Sequence, residues 1–269
     1  MEENKMKKIL AVLMAAFMLV ACFAGCTKKD KEFDSDMAYV KDKGVLLVGI
    51  TDFAPMDYKD EDGKWIGFDA DMATKFAEEL GVKVEFVELA DWGKKIMELD
   101  DYQVDCVWNG MTLNDEVLKG METSKPYCKN QQVVVVKNDV ADKYTTKESL
   151  KDLSFAVEDG SAGQDIVEEN KWTSTAVPKQ ADALTEVKSG TSQACVIDLL
   201  MAGAMIGEGT SYPELVKTVS LTEEDYGVGF RKGSDLAEEL NKLFKKCYDD
   251  GSLMDTAEKY GVQKTIIAW

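Results

Sequence analysis

Short apolar runs and amphipathic stretches alternate along the chain from residue 45 onwards. Val45–Ile50 is a continuous apolar run that leads into a polar loop, which predicts a buried strand. The segment 71–80 has apolar residues at helical spacing, and Gly81 supplies the stop signal that helices favour. The segment 82–89 returns to a strand pattern. The folded region therefore begins with a predicted strand-helix-strand unit.

The same alternation continues in two sets of elements. The first set contains the helix 92–99, the strand 104–108, the loop 123–127 and the strand Gln132–Lys137. The second contains the strands 153–157, 194–197 and 226–230 and the helices 163–170, 183–189, 199–206, 236–250 and 254–260. Alternation predicts an α/β fold with mostly parallel sheets, and two sets predict two lobes. Ligands are expected in the crevice between the lobes, at the carboxyl ends of the strands.

The N-terminus has the layout of a secretion signal. Three lysines precede the apolar run 9–20, and small residues follow that run. The run is short for a membrane span. The segment resembles a bacterial lipoprotein signal, in which a cysteine after two small residues becomes the lipid-modified first residue.

The lipid-attachment residue is predicted to be Cys26, because the polar tether 27–31 follows it at once. Cys22 is the alternative, although lipid attachment there would leave a short apolar segment between the modified cysteine and the polar tether. The resemblance implies a signal peptide at 1–25, a tether at 26–39 and attachment to the outer face of the cell membrane through lipid only.

The composition excludes several classes of function. The net charge of −18 argues against nucleic acid and against adhesion to anionic lipid by surface charge. The chain contains no histidine, which removes the commonest general base and zinc ligand. The six cysteines show neither metal-ligand spacing nor a disulfide framework. We therefore expect no metal, no cofactor and no disulfide bridge.

Polar stretches follow the predicted strands at 51–56, 91–92, 109–121, 158–163 and 196–198. The stretch that begins at Asn109 looks like a cradle for an anion. Gly110 and Thr112 can offer donors, and Asn114 begins a predicted helix. Val117, however, stands where a cation would be most useful.

Several motifs together point to one family. They are Gly67-Phe68-Asp69-Ala70-Asp71-Met72, Val104-Asp105-Cys106, Gly110-Met111-Thr112, Ser124-Lys125-Pro126-Tyr127, Asp250-Gly251-Ser252-Leu253 and Lys259-Tyr260-Gly261. With them, residues 40–262 resemble the bacterial solute-binding proteins of the polar amino acid family, the extracytoplasmic receptors of ABC importers.

The resemblance implies a two-lobed periplasmic-binding-protein-like fold of type II. Lobe 1 would comprise 40–129 and 225–269, and lobe 2 would comprise 130–224. Two hinge strands, near 128–133 and 221–226, would join lobes that close around a ligand.

The resemblance also implies a set of ligand-binding residues: Phe53, Trp92, Asn109, Gly110, Thr112, Glu158, Ala162 and Asp198. Phe53 and Trp92 would form opposing walls, and Asp198 would pair with the α-ammonium group. The α-carboxylate would meet Thr112 and the N–H groups of Gly110 and Ala162, while Asn109 could donate or accept beside them. Glu158 would meet the ligand side chain.

Each of these residues also has a structural interpretation. Phe53 could be a core residue, and Trp92 could pack at a helix start. Asp198 could cap a helix, and Glu158 could be a solvated charge. The pair Asp69 and Asp71 is predicted to orient the following helix and not to act in catalysis.

Position 117 departs from the family pattern, which usually has an arginine there that binds the ligand carboxylate. Arg231, the only arginine of the chain, lies in no motif that would place it at the site. Lys119 is two residues after position 117, on another face of the predicted helix, so it is a poor substitute. Either other donors compensate or the ligand carboxylate is held differently. The acidic chain and Glu158 favour a zwitterionic or cationic ligand over an anionic one.

We therefore expect the binding component of an ABC importer, which takes a polar amino acid or related amine and is not an enzyme. Its partners would be permease subunits, and it would act as a monomer. One alternative is a ligand-sensing partner of a membrane receptor. The other is a dehydratase-like enzyme that uses Glu158 and Asp198 as acid and base.

Overall fold

Two β-sheets organise the computed structural model, which describes residues 33–269. The predicted signal peptide, residues 26–32 of the predicted tether and hence Cys26 lie outside the described residues. Residues 35–269 form one body.

The first part of the body is built from elements that end at residue 130. These are α1 (Asp36–Lys43), β1 (Val45–Ile50), β2 (Tyr58–Lys59), β3 (Trp65–Ile66), α2 (Phe68–Leu80), β4 (Lys83–Glu88), α3 (Lys95–Asp100), β5 (Cys106–Thr112), α4 (Asp115–Gly120), β6 (Glu122–Thr123) and β7 (Cys128–Asn130). A 3₁₀ turn at Trp92–Lys94 precedes α3.

The remaining elements complete both lobes. They are β8 (Gln132–Lys137), β9 (Ser154–Glu158), α5 (Ala162–Glu169), β10 (Thr173–Val177), α6 (Gln180–Ser189), β11 (Ala194–Asp198), α7 (Leu199–Met205), β12 (Leu215–Ser220), β13 (Glu224–Phe230), α8 (Leu236–Asp249) and α9 (Ser252–Lys259). Two 3₁₀ segments, Asn138–Lys143 and Lys147–Leu150, follow β8.

The strands form one main sheet in each lobe. The first sheet has the order β4-β1-β5-β13-β6, with β7 paired to β13. The second has the order β10-β9-β11-β8-β12. The chain passes between the sheets from β7 to β8 and again from β12 to β13, so the molecule has two lobes and two connecting segments.

The sheets are mixed, and the expectation of mostly parallel sheets was wrong. The strand β1 runs parallel to β4 and β5, but β13 is antiparallel to β5, β6 and β7. In the second sheet β9 is parallel to β10 and β11, but β8 is antiparallel to β11 and β12. The antiparallel pairs of these two sheets all involve β8 or β13, the strands that the chain enters from the other lobe. A strand that arrives from the other sheet is not preceded by a crossover helix that would make it parallel.

Two strands lack the apolar pattern that reveals a strand. Four of the five residues of β10 are exposed, and β12 has only one fully buried residue. The predicted helix at 92–99 is instead a 3₁₀ turn followed by α3. The turn begins where the Asp91 carboxylate accepts a hydrogen bond from the Gly93 N–H at 3.0 Å.

Two large side chains of the first lobe, Trp108 and Arg231, are buried away from the predicted site. Trp108 on β5 is fully buried and precedes Asn109, which points to the opposite face of the strand. Arg231 is also buried, and it binds Asp36, Asp105 and two backbone carbonyls far from the strand ends that carry the predicted site. Within residues 33–269, no helix has the length and apolar character needed to cross a membrane.

Candidate ligand-binding cleft

The carboxyl ends of β5, β9 and β11 face each other across the two lobes. They enclose a small cavity of about 20 Å³, about the space that one water molecule occupies. Its lining residues are Trp92, Lys95, Asn109, Gly110, Met111, Thr112, Asn114, Val117, Gln132, Glu158, Gly160, Ser161, Ala162, Gln180 and Asp198. A larger opening of about 1010 Å³ adjoins the cavity and shares Thr112, Asn114 and Ala162 with it. We call the small cavity and its lining the cleft.

Phe53 does not line the cleft, although it was expected to cover the ligand. Its ring is 2% exposed and packs edge-on against Tyr226, with 6.3 Å between ring centroids. A Cβ atom at Gly110 would lie 2.5 Å from the Phe53 ring. Phe53 is therefore a core residue that supports the backbone of Gly110, and the close approach requires glycine there.

The Gly110 N–H is also committed within the protein. It donates to the Asp69 carboxylate at 2.7 Å, so its expected role as a carboxylate donor was wrong in this structure. Asp69 also accepts the hydroxyl of Tyr127. Burial raises the pKa of Asp69 to about 7, although the hydrogen bonds from Tyr127 and Gly110 oppose this shift. Asp69 thus joins α2 to β5 and does not face the cleft.

Asn109 and Thr112 line the cleft with side chains that already have partners. The Asn109 side chain accepts the Thr51 N–H at 2.8 Å and donates to the Thr51 hydroxyl at 2.7 Å. The Thr112 hydroxyl donates to the Glu224 carboxylate at 2.9 Å. These contacts hold the end of β5 rigid beside the cleft.

Ala162 is the first residue of α5, whose N-terminus opens into the cleft. The Ser161 hydroxyl caps this helix by accepting the Gln164 N–H at 3.1 Å. The first N–H groups of a helix have no acceptor within the helix. The Ala162 N–H is therefore available to an anion, with support from the helix dipole.

Asp198 is buried, and neutral groups satisfy its carboxylate. The donors are Asn130, Gln132, Gln180 and Tyr226. Its side chain does not cap α7, so the capping interpretation was wrong. Burial, with the negative charge of Glu224, raises the pKa of Asp198 to about 7. The partner that a buried carboxylate requires is thus a set of amide and hydroxyl groups.

Glu158 is 4% exposed, so the interpretation as a solvated charge was wrong. Burial, with the nearby charge of Asp198, raises its pKa to about 8. Gln180 lies between the two acids and hydrogen-bonds to both. A third acid, the partly buried Glu224, accepts from Asn130 and Gln132 at 2.8 and 2.7 Å.

Sequence reasoning missed Lys95 and Glu224. Lys95 is 2% exposed, and its ammonium lies 5.3 Å from the centre of the Trp92 ring. A signal existed, because Lys95 follows Trp92 by three residues and precedes Leu99 by four, which places it on their helix face. Glu224 lies in the predicted hinge strand, and no sequence motif marked it as a residue of the cleft.

The described part of the chain is thus a two-lobed α/β body with two connecting segments and a cleft of charged and amide side chains between its lobes. This arrangement defines a solute-binding protein of the hinge-bending type. The chain belongs to the bacterial extracellular solute-binding proteins of family 3, whose model matches residues 46–263.

Curated relatives cover nearly the whole chain. An L-cystine-binding protein of Escherichia coli is 27% identical over 90% of this chain and 92% of its own length. An arginine-binding extracellular protein of Bacillus subtilis is 28% identical over 95% of this chain and 98% of its own length. The structure is similar to an arginine-binding protein variant from T. maritima, with a TM-score of 0.78, 31% identity and coverage of 84% and 98% of the two chains. The protein is therefore an extracytoplasmic component that binds a polar amino acid for an ABC importer.

The same scaffold also occurs in an enzyme. A cyclohexadienyl dehydratase of Pseudomonas aeruginosa is 31% identical over 46% of this chain and 46% of its own length. Within residues 33–269, no group of three potential ligands is placed to hold a metal ion, and the four described cysteines are buried free thiols.

Proposed function

We propose that the cleft binds an L-amino acid with a cationic side chain, of the arginine class. The observation that carries this proposal is the excess of acidic over basic groups in and around the cleft. Glu158 and Asp198 line it, and Glu224 contacts three of the groups around them. Among the described residues, Lys95 is the only cation in the lining. A ligand with two positive groups would offset the excess of buried carboxylates.

The geometry suggests a role for each group. Asp198 takes the α-ammonium, and Glu158 takes the side-chain cation. Trp92 lies across the cleft and offers the face of an indole to the same cation. Thr112 and the Ala162 N–H lie on the carboxylate side. Arginine-binding relatives of both sequence and structure support this ligand class.

A matched ligand panel tests the proposal by isothermal titration calorimetry and thermal shift. Arginine and citrulline have nearly the same shape, but only arginine carries a side-chain charge. We expect arginine to bind at least about 10-fold more tightly, because a charge-assisted hydrogen bond contributes on the order of 1.5–3 kcal/mol. Lysine, histidine, cystine, glutamine and glutamate complete the panel. Equal binding of citrulline, or stabilisation by glutamate alone, would overturn the cationic assignment.

We infer further that the protein binds its ligand without converting it. The acids of the cleft are held by neutral amides and hydroxyls, and the chain has no histidine to move protons. The test is incubation with a cyclic hydroxy acid of the kind that a dehydratase consumes, followed by spectroscopy of the product. Turnover that Glu158→Gln abolishes would establish an enzyme instead.

We also propose that a lipid on Cys26 anchors the protein to the outer face of the membrane. The lipoprotein-like signal and the polar tether support this. Expression of Cys26→Ser is expected to release the protein into the soluble fraction, whereas Cys22→Ser is expected to leave it membrane-bound. The reverse pattern would assign the lipid to Cys22.

A further inference from the structure

Lys95 is a buried cation with no counter-ion among the residues described. Its Nζ atom donates to the carbonyl oxygens of Gly160 at 3.1 Å and Trp92 at 3.5 Å. No carboxylate of residues 33–269 forms an ion pair with it. An ammonium group has three donors, so at least one remains for another acceptor. A buried charge without a counter-ion is costly, which makes an anionic group the expected occupant of the space beside it.

The surroundings of Lys95 indicate where that anion would lie. Lys95 lines the same cleft as Thr112, Val117 and Ala162. Val117 is 1% exposed and packs with Trp92 and Leu99, so it contributes an aliphatic wall and no charge. The N-terminus of α5 faces the cleft from the other lobe. A cation on one lobe and a helix N-terminus on the other therefore point into one small space.

We propose that Lys95 recognises the carboxylate of the bound amino acid and thereby selects amino acids over the corresponding amines. This rests on the proposed binding of an amino acid but not on the cationic side chain. The ligand carboxylate lies between Lys95 Nζ and the Ala162 N–H. Lys95 supplies from α3 the charge that position 117 lacks.

The competing interpretation is that Lys95 only balances the acids near the cleft. Burial lowers the pKa of Lys95, and the nearby acids Glu116, Glu158 and Asp165 oppose this shift by favouring its charged form. A balancing role would make Lys95 necessary for every ligand, with or without a carboxylate. A recognition role would make it necessary only for ligands that carry one.

The experiment compares arginine with agmatine, its decarboxylated amine, by calorimetry. The variants are Lys95→Met, the conservative Lys95→Arg and the control Lys94→Met. Lys94 is the neighbouring lysine, is paired with Asp91 and does not line the cleft. We expect wild-type protein to prefer arginine. Lys95→Met should weaken arginine binding by about 30-fold or more and leave agmatine binding nearly unchanged. Lys95→Arg should retain the preference, and Lys94→Met should behave as wild type.

Each outcome decides the proposal. Equal loss of arginine and agmatine binding, or equal affinity of the wild type for both, would overturn it. If the wild type binds an amino acid without a cationic side chain, the proposed cationic ligand is wrong. The role of Lys95 is then tested with that amino acid and its decarboxylated amine in place of arginine and agmatine. Binding of no amino acid would overturn both. Should Lys95→Met not fold, the test is the ratio of arginine to agmatine affinity in the wild type and in Lys95→Arg. A ratio near one in either protein would overturn the proposal. The double variant Lys95→Met/Val117→Arg is expected to recover the preference, since it returns a cation to the same cleft.

Discussion

At the scale of single residues, the buried acids of the cleft couple stability to pH. The pKa of Glu158 is raised to about 8 and that of Asp198 to about 7, chiefly by burial. A carboxyl group with a raised pKa holds its proton in the folded state after the unfolded state has lost it. The contribution of these two groups to the free energy of unfolding is therefore fully present below their unfolded pKa values and is lost as the pH rises through the folded values.

We predict that the ligand-free protein is more stable at about pH 5 than at about pH 8, and that Glu158→Gln reduces this dependence. The variant cannot ionise, so it should lose on the order of 1–2 kcal/mol of the difference between the two pH values. Asp57 and Asp69 also have raised pKa values and will leave part of the slope. Urea unfolding at both pH values measures the effect. An unchanged slope in the variant would show that Glu158 ionises normally.

The carboxylate of Asp198 should be essential for the α-ammonium group. Asp198→Asn removes the charge but keeps the size, so we expect arginine binding to weaken by about 30-fold or more. The control is Asp159→Asn, an exposed acid one residue after β9. Calorimetry on both variants measures the change. Equal affinities would place the α-ammonium elsewhere.

The site was only partly predictable because sequence motifs identify strand ends but not what fills the space between them. Of the eight predicted ligand-binding residues, only Phe53 is absent from the cleft lining. The Gly110 N–H was misassigned because its acceptor, Asp69, is distant in sequence. Lys95 was missed for a different reason. Its burial depends on the loop of the second lobe at Gly160, which no pattern within α3 can reveal.

At the scale of elements, two loops meet across the cleft at a pair of glycines. Gly160 follows β9 and has φ of +68°, and Gly93 lies in the 3₁₀ turn before α3. A Cβ atom on Gly160 would lie 2.3 Å from the Gly93 Cα atom. The lobes can therefore approach this closely only when residue 160 has no side chain.

We predict that Gly160→Ala weakens ligand binding by about 10-fold or more, because the methyl group holds the lobes apart and the lobe contacts that enclose the ligand are lost. The matched control is Gly81→Ala, where φ is +76° and a Cβ would meet nothing within 4 Å. Both variants should lose about 1–2 kcal/mol of stability from backbone strain, but only Gly160→Ala should lose affinity. Equal affinity of the two variants would show that this contact does not limit closure.

The elements that the sequence predicted best are those with a buried apolar run. Val45–Ile50 and Gln132–Lys137 have the same bounds in the structure as in the prediction. The strand β10 was not predicted, because it is an edge strand whose exposed face carries threonine and serine. Its pairing with β9 comes from the backbone of a neighbour and not from its own side chains.

At the scale of the whole molecule, two contacts between the lobes are links between polar side chains. Lys179 pairs with Glu88 at 2.5 Å, and Asn114 donates to Asp165 at 3.1 Å. Both ion-pair partners are about one-third exposed, so the pair contributes little, on the order of 0–1 kcal/mol. Such weak links suit lobes that must open and close, and they leave most of the closing energy to the ligand.

The charge of the whole chain should act on the ligand before it reaches the cleft. The net charge is −18, and a field of this sign attracts cations over about one Debye length, roughly 10 Å at 0.1 M salt. We predict that the association rate of arginine falls several-fold when salt is raised from about 0.02 to about 0.5 M, because screening removes this attraction. Stopped-flow tryptophan fluorescence can follow binding, since Trp92 lines the cleft.

Citrulline provides the control for this rate, because it has the shape of arginine without the net charge. Its association rate should change little with salt, whatever its affinity. Both ligands must close the same lobes over the same contacts, so a difference between their salt dependences isolates long-range attraction from closure. If both rates fell equally, the salt would be acting on links such as Lys179–Glu88 instead, and Lys179→Met should then remove the dependence. A rate for arginine that is independent of salt would show that the acidic surface does not steer the ligand.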